Sequence, residues 1–405
     1  MQKPNCKTPL GFLHKLLQAG FSTCRPLFFF KGILPMLQLK LLNIVLLATI
    51  LMVGATNAAK RPYESLGFKP TAIPLLNFSS DDGTGYGLRA SLYDYDGKSI
   101  PYRRAYSIQA FFTTGGKWVH HLRADIPNLR PGQRLEFKAK FEKEDFANYY
   151  GDLRDESLEK RTRQEKTFKQ VNPSLKLMWI RDLRRPWRLR AGFQLEHREI
   201  TPNAAAGNIL HDRQPPGIEG GLLFEVNTSL RYDTRDDYTN STRGILEEFL
   251  LEYGIGSGGD FNGVRLSYEH RHFISLLSGL VLAQRANADL TFGALPFYKG
   301  LELGGSSTVR GLAASRRRGE GRVLFNSEVR WQGLQLSRRE QLFTGLLLFW
   351  DVGQVFQRRD GPSLGDWSSG AGAGLRFHWH STIVRADYGI SGSRRGIYIT
   401  FSQLF

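Results

Sequence analysis

The residues that could carry out chemistry in this chain of 405 residues are few and scattered. Nine histidines include two close pairs, His120–His121 and His378–His380, but neither pair has a nearby cysteine or a convincing carboxylate partner. Metal sites need several such ligands together, and the sequence has no nucleophile elbow. A serine and a histidine brought together from distant segments, as in a surface lipase, is the remaining catalytic alternative. We therefore predict no enzyme, no metal site and no cofactor.

The charge and the cysteine content narrow the classes of partner. A formal net charge of +17 suggests nucleic acid, but the basic residues are interleaved with acidic and aromatic ones, apart from the run Arg316–Arg318, and form no continuous basic face. We expect no nucleic-acid partner. The alternative explanation of the positive charge is that arginines lie in a lumen and at loop tips near anionic lipopolysaccharide. Both cysteines, Cys6 and Cys24, precede the cleavage site predicted below, so no disulfide is expected.

Residues 36–58 resemble a secretory signal peptide. They begin at Met36, contain one lysine, continue through a mostly apolar run and end in small residues at Ala58. The apolar run has about 13 residues, fewer than the roughly 20 that a membrane-spanning helix needs. We expect translation to begin at Met36, with an unusually long n-region as the alternative. The predicted organisation is an upstream extension and signal peptide over 1–58, a short periplasmic segment over 59–70 and a barrel domain over 71–405.

The elements that must position any functional residue are visible as a period of two rather than in the mean hydropathy of −0.33. In residues 134–142, leucine, alanine and phenylalanine alternate with glutamate and lysine, and residues 86–92 and 322–331 follow the same rule. A strand places alternate side chains on opposite faces, whereas a helix would mix the two sets. Transmembrane β-strands have this pattern because lipid-facing apolar residues alternate with polar lumenal ones.

The alternation recurs sixteen times and predicts an all-β fold, a 16-stranded antiparallel transmembrane β-barrel. An even number of strands is what closure of a bacterial barrel requires, and outer loops should be longer than periplasmic turns. A soluble β-sandwich is the alternative, although it rarely needs so many long, aromatic-rich strands. The predicted long joins are 146–168, 200–221, 291–321 and 354–370, each after an odd-numbered strand. The predicted strands lie near 71–79, 85–95, 104–113, 117–126, 134–145, 169–180, 187–199, 222–233, 244–255, 262–273, 278–290, 322–332, 343–353, 371–379, 382–390 and 396–405.

The C-terminal residues resemble the terminal-strand signal by which outer-membrane barrels are recognised for insertion. Ile397, Ile399, Phe401 and Phe405 are predicted to share one apolar face, interrupted by Gln403, and the chain ends on an aromatic residue. Together with the signal peptide, this pattern predicts the bacterial outer membrane as the location, with outer-membrane lipid and lipopolysaccharide as surroundings.

The segment LPFYKGLELGGSSTVRGL, residues 295–312, resembles the sixth outer loop of the BamA/TamA family of outer-membrane assembly proteins, the bacterial surface antigens. Such loops have paired glycines before an arginine-glycine-aromatic core, and leucine replaces the aromatic residue here. The loop motif consists of Gly304, Gly305, Val309, Arg310, Gly311 and Leu312.

Three further stretches agree with this family in order and spacing: SLRYDTRDDYTNSTRG, FNSEVRW and LLFWDVGQVF. In relatives the loop folds into the lumen and its arginine meets acidic residues of the following strands, which implies a cluster of Arg310, Glu328 and Asp351. A buried guanidinium needs such partners. The alternation places Glu328 on a polar face, but Asp351 shares its side with apolar residues. An exposed loop arginine is the alternative.

The resemblance implies a function in inserting or translocating proteins at the outer membrane. The first and last strands would pair weakly and leave a seam to which a client strand can add. Relatives usually carry periplasmic polypeptide-transport-associated domains, and we expect a barrel-only member here, with client docking absent or supplied by a separate accessory protein. A passive pore or structural barrel without client handling is the alternative, and a receptor or adhesin is a third.

Overall fold

The computed structural model describes residues 66–151, 161–257, 261–337, 342–379 and 382–405. The predicted signal peptide, the predicted start at Met36 and residues 59–65 lie outside these ranges. Within the described ranges, none of the helices has the length and apolar character needed to cross a membrane.

Sixteen long antiparallel strands form one closed barrel, as the alternation predicts. Each strand pairs with its neighbours in the chain, so the order around the barrel is the order in the sequence. The strands are β1 Leu66–Ser79, β2 Gly83–Asp96, β3 Arg104–Thr113, β4 Lys117–Arg130, β5 Gln133–Asn148, β6 Thr167–Asp182, β7 Trp187–Pro202, β8 Gly221–Asp233, β9 Gly244–Gly256, β10 Asn262–Leu277, β11 Leu280–Ala294, β12 Gly321–Trp331, β13 Leu342–Phe356, β14 Ser368–Trp379, β15 Thr382–Ser391 and β16 Arg394–Phe401.

The remaining elements are short and lie in the joins. Two helices follow β5 and β7, and one 3-10 turn and a two-stranded ribbon lie between β11 and β12. A three-residue strand also pairs with the start of β13. These elements are α1 Arg163–Lys166, α2 Ile209–Arg213, the turn Phe297–Lys299, the ribbon Leu301–Leu303 with Arg317–Gly319, and the strand Gln335–Ser337.

Side chains alternate between an apolar outer surface and a largely polar interior. In β13, Leu348 and Trp350 are 65% and 60% exposed, whereas the alternating residues Phe349 and Asp351 are buried. The same alternation holds in β5, where phenylalanines face outward and charged residues face inward. A continuous belt of exposed leucine, phenylalanine and tryptophan is costly in water and suits a hydrocarbon surrounding.

The barrel closes through a short seam between β1 and β16. Two residue pairs join these strands, Phe78 with Ile399 and Ser79 with Tyr398. Just beyond them, the amide of Ser80 donates to the carbonyl of Ile397 at 3.0 Å. By contrast, β1 pairs with β2 along all of its 14 residues. Most of the β1 edge that faces β16 therefore has no strand partner in the described part of the chain.

Both chain-terminal strands differ from their predicted limits. β1 begins at Leu66, inside the segment that was predicted to be periplasmic. β16 ends at Phe401 rather than at residue 405, because Ser402 adopts a φ of +69° and its amide donates to the carbonyl of Ile383 at 2.8 Å. The last residues therefore leave the sheet and turn into the barrel.

This turn corrects one prediction about the C-terminus. Ile397, Ile399 and Phe401 are half-buried on the outer side of β16, but Phe405 is only 7% exposed and lies inside. Its ring packs against Phe273 and lies 4.9 Å from the guanidinium of Arg330. The prediction that Phe405 shares the apolar outer face was therefore wrong.

Replacing Phe405 by alanine should destabilise the barrel. Truncating a packed phenylalanine costs about 3 to 5 kcal/mol where the site is fully enclosed, and we expect the lower end here because the residue lies at the end of the lumen. The urea midpoint of the purified protein refolded in detergent measures this change. The matched control is Phe325→Ala on the outer face, which should cost less, and an equal loss in both variants would contradict the inward packing of Phe405.

Candidate functional site: the inserted loop and its ion cluster

The join between β11 and β12, residues 295–320, folds back inside the barrel and is called the inserted loop below. Its stem is the antiparallel ribbon of Leu301–Leu303 with Arg317–Gly319. Its tip is closed by the amide of Gly305, which donates to the carbonyl of Leu312 at 2.8 Å. Gly304 and Gly305 have φ values of +118° and +82°, which glycine adopts without a steric penalty. The paired glycines of the motif therefore make the sharp bend at the tip.

Apolar packing fixes the tip of the inserted loop against the barrel wall. Val309 and Leu312, both buried, form one cluster with Leu303 of the stem and with Leu324 and Val355 of the wall. These wall residues belong to β12 and β13. Two of the predicted motif residues thus anchor the loop through burial rather than through charge.

Arg310 lies between these anchors and is fully buried, with 0% exposure. Its Nε donates to Oδ2 of Asp351 at 2.7 Å and its Nη2 to Oδ1 at 2.9 Å, a bidentate contact. Its Nη1 donates to Oε1 of Glu328 at 2.7 Å. The structure therefore brings together the three residues that the family resemblance implied, and a planar guanidinium suits this fork geometry.

Two further residues of the Arg310 site were not predicted from the sequence. Asp387 on β15 accepts from Nη1 of Arg310 at 3.0 Å, and the ring of Phe349 lies 3.5 Å from the guanidinium carbon. The ring explains why Asp351 shares its face with an apolar residue, since Phe349 points into the lumen to cover the cation. Asp387 could have been found by the alternation that revealed Glu328, because Arg385 and Asp387 occupy the buried face of β15.

Two more arginines extend the cluster. Arg330 donates from Nε to Glu328 at 2.8 Å, and Arg376 donates from Nη1 to Asp387 at 2.5 Å. Three buried cations thus alternate with three buried carboxylates. Charges of this kind are stable in a low-dielectric interior only when each is paired and hydrogen-bonded.

The inserted loop also approaches the last strands of the barrel closely. Gly311, with φ +92°, donates its amide to the hydroxyl of Tyr398 on β16 at 3.1 Å. A Cβ on Gly370 would lie 2.1 Å from the carbonyl oxygen of Arg310, and one on Gly389 would lie 2.9 Å from its carbonyl carbon. Glycines on β14 and β15 therefore leave a slot into which the loop backbone fits.

The basic run of the inserted loop does not form a basic surface. Arg316 and Arg318 are buried, at 2% and 5% exposure. Arg318 donates to the carbonyl of Phe297 at 3.0 Å and pairs with Glu302. Within the described residues no group of histidine, cysteine and carboxylate side chains could hold a metal ion.

A model of the Omp85 superfamily domain matches residues 109–402. The chain belongs to the Omp85 superfamily. This confirms the family resemblance seen in the loop motif and indicates a location in the bacterial outer membrane. No protein with a curated description matches the sequence.

Solved structures of this superfamily share the fold. BamA from Haemophilus ducreyi lacking POTRA domains 1-3 has a TM-score of 0.59 at 13% identity, covering 82% of this chain and 70% of that chain. CdiB from Escherichia coli has a TM-score of 0.57 at 13% identity, covering 85% of this chain and 64% of that chain. CdiB from Acinetobacter baumannii has a TM-score of 0.50 at 14% identity, covering 83% of this chain and 60% of that chain. This Omp85 chain therefore spans less than two thirds of either CdiB, and such low identities show the fold alone.

Arg310→Ala should destabilise the Omp85 barrel strongly, because it leaves buried carboxylates without a cation. Removing one partner of a buried ion pair costs about 3 to 5 kcal/mol, and Arg310→Lys should recover part of it, since an ammonium keeps the charge but not the bidentate fork. The measurement is the urea midpoint in detergent, read by the mobility of the unheated protein on a gel. Arg359→Ala is the control, because that side chain is 85% exposed. A midpoint unchanged by Arg310→Ala would refute the structural role of the cluster.

Gly370→Ala should displace the inserted loop from its slot. The added methyl group would overlap the carbonyl oxygen of Arg310, so the loop has to move and the buried Arg316 and Arg318 become accessible. Limited trypsin digestion of the folded protein detects this as new cleavage in the loop. Gly365→Ala, where a Cβ meets nothing within 4 Å, should leave the digestion pattern of the natural protein. Protection of the loop in both variants would show that the slot is wider than the structure indicates.

Proposed function

We propose that this Omp85 barrel inserts or translocates proteins at the bacterial outer membrane by offering the edge of β1 to a strand of the client. The observation that carries the proposal is the seam, where two residue pairs hold β16 against a strand of 14 residues. The edge offers backbone carbonyls along its length and amides at its edge-facing residues other than Pro70 and Pro74, and such an edge is a template for strand addition.

The membrane makes the unpaired edge of β1 energetically unfavourable. In hydrocarbon, backbone groups cannot exchange hydrogen bonds with water, so each group without a partner costs several kcal/mol. A client strand that pairs with β1 supplies those partners. The inward turn at Ser402 supports the proposal, because it removes residues 402–405 from the position in which they could cover the edge.

The inserted loop holds one end of the seam and leaves the other free. Its Gly311 binds Tyr398 of β16, and its Ala314 amide donates to Oδ1 of Asp81, in the turn after β1, at 3.1 Å. Both contacts lie at the end of the barrel where β1 and β16 are paired. Opening would therefore begin at the opposite end, near Leu66, and a client strand can pair with the whole of β1 only after the Phe78–Ile399 pair also separates.

The loop also argues against the alternative of a passive pore. Val309 and Arg310 at the tip are 0% exposed and pack against the wall from β12 to β15, so the tip fills the lumen beside these strands at that level. The same proposal includes export through the signal peptide predicted over 36–58. It also includes three kinds of partner: client proteins, lipopolysaccharide at the outer surface and a separate accessory protein.

A disulfide across the seam should block client insertion. Asn77→Cys with Thr400→Cys places two thiols one step beyond the Phe78–Ile399 pair, where antiparallel strands bring Cβ atoms within bridging range. The assay follows an unfolded eight-stranded outer-membrane barrel as it folds into vesicles that contain the protein. Oxidation should lower the folding rate to that of empty vesicles, and reduction should restore it.

The matched control is a disulfide between strands that are fully paired, Thr228→Cys with Leu251→Cys on β8 and β9. This tether should leave client folding unchanged, because those strands do not need to separate. If the oxidised seam variant promotes folding as well as its reduced form does, the client does not enter through the seam and the proposal fails.

A further inference from the structure

Three cations stand in one row across neighbouring strands of the barrel wall. Arg123 of β4 lies directly opposite Lys138 of β5, and Lys138 lies directly opposite Lys176 of β6. All three side chains point into the lumen, because the apolar residue before each of them is exposed on the outer surface. Like charges directly opposite one another destabilise a sheet. The row therefore lowers the stability of the folded barrel.

The row lines a cavity of about 330 Å³, called the basic cavity below. Two more arginines and a histidine reach it, and Glu136 is the one carboxylate among its described lining residues. The charged and titratable lining residues are Arg89, His121, Arg123, Glu136, Lys138, Lys176 and Arg190.

Only some of these cations have a carboxylate at ion-pair distance. Glu136 is shared between Arg134 at 2.9 Å and Arg123 at 3.5 Å. Arg190 pairs with Glu248, and Arg89 donates only to the neutral amide oxygen of Gln109. Lys138 and Lys176 have no hydrogen bond and no ion pair to any residue that the structure describes. The Arg310 cluster differs in this respect, because each of its three cations meets a carboxylate.

We propose that the basic cavity binds a small phosphate-bearing solute. Ammonium and guanidinium groups that converge on one space recognise multivalent oxyanions, and a concave lining of like charge focuses its potential on that space. The volume lies at the low end of small-molecule sites, so it fits one phosphate or pyrophosphate group with a small substituent. Arg89, Arg123 and Lys138 are exposed to the lumen, which gives the solute access from water. The site does not depend on client handling at the seam.

Calorimetric titration of the full chain in non-ionic detergent at low salt tests this proposal, with sodium pyrophosphate as the probe and sodium chloride as the reference. The natural protein should bind pyrophosphate saturably, and Lys138→Gln with Lys176→Gln should weaken the affinity by about tenfold or more. Lys98→Gln with Lys169→Gln removes the same charge outside the basic cavity and should leave binding unchanged. Equal binding by both double variants would overturn the site.

A second measurement separates loss of the site from loss of folding. Without added anion, the Lys138→Gln, Lys176→Gln variant should unfold at a higher temperature than the natural protein, because the repulsion in the row is gone. Pyrophosphate should raise the unfolding temperature of the natural protein and not that of the variant. A third arm uses vesicles with lipopolysaccharide in place of pyrophosphate, and protection by these alone would assign the phosphate to the lipid. If neither probe distinguishes the variant from the natural protein, the row binds no anion.

Discussion

The burial of one guanidinium is the constraint on which much of this structure depends. Arg310 is fully enclosed, and a cation in that environment must find carboxylates on several sides at once. Asp351, Glu328 and Asp387 come from three different strands, so the strands must hold their register for the cation to be neutralised. The loop that carries Arg310 is thereby fixed in the lumen, and the wall from β12 to β15 is fixed around it.

The barrel consequently has two unlike halves. The tip of the inserted loop around Arg310 is packed like a protein core, and its three cations pair with three carboxylates. The basic cavity, which strands from β2 to β7 line, is accessible to water, and its cations outnumber its carboxylates. The inserted loop also reaches the second half, where Phe297 packs against Phe168 and Lys299 pairs with Glu196 at 3.2 Å. The seam between β1 and β16 lies where these two halves meet.

The surrounding solvent determines how strongly the seam favours strand addition. In water an edge with few interstrand bonds would be satisfied by solvent and would carry little free energy. In hydrocarbon the same edge is a strong driving force for pairing. The apolar belt that indicates a membrane environment and the short β1–β16 contact are therefore parts of one argument, since neither feature alone would favour strand addition.

The alternation of side chains was sufficient to predict the sixteen strands and the barrel, because the alternation along one strand does not depend on how that strand pairs with its neighbours. The resemblance of the loop, together with the chemistry of a buried arginine, was sufficient to suggest Glu328 and Asp351. What remained hidden depends on which residues stand opposite one another. The alternation within β15 places Asp387 on the inner face, but its contact with Arg310 depends on the register that the turns set. Phe349 and the row from Arg123 to Lys176 meet their neighbours through the same register, and no single strand reveals it. The inward turn of the C-terminus begins at Ser402, a residue type with no preference for positive φ, and only the packing of Phe405 in the lumen explains it.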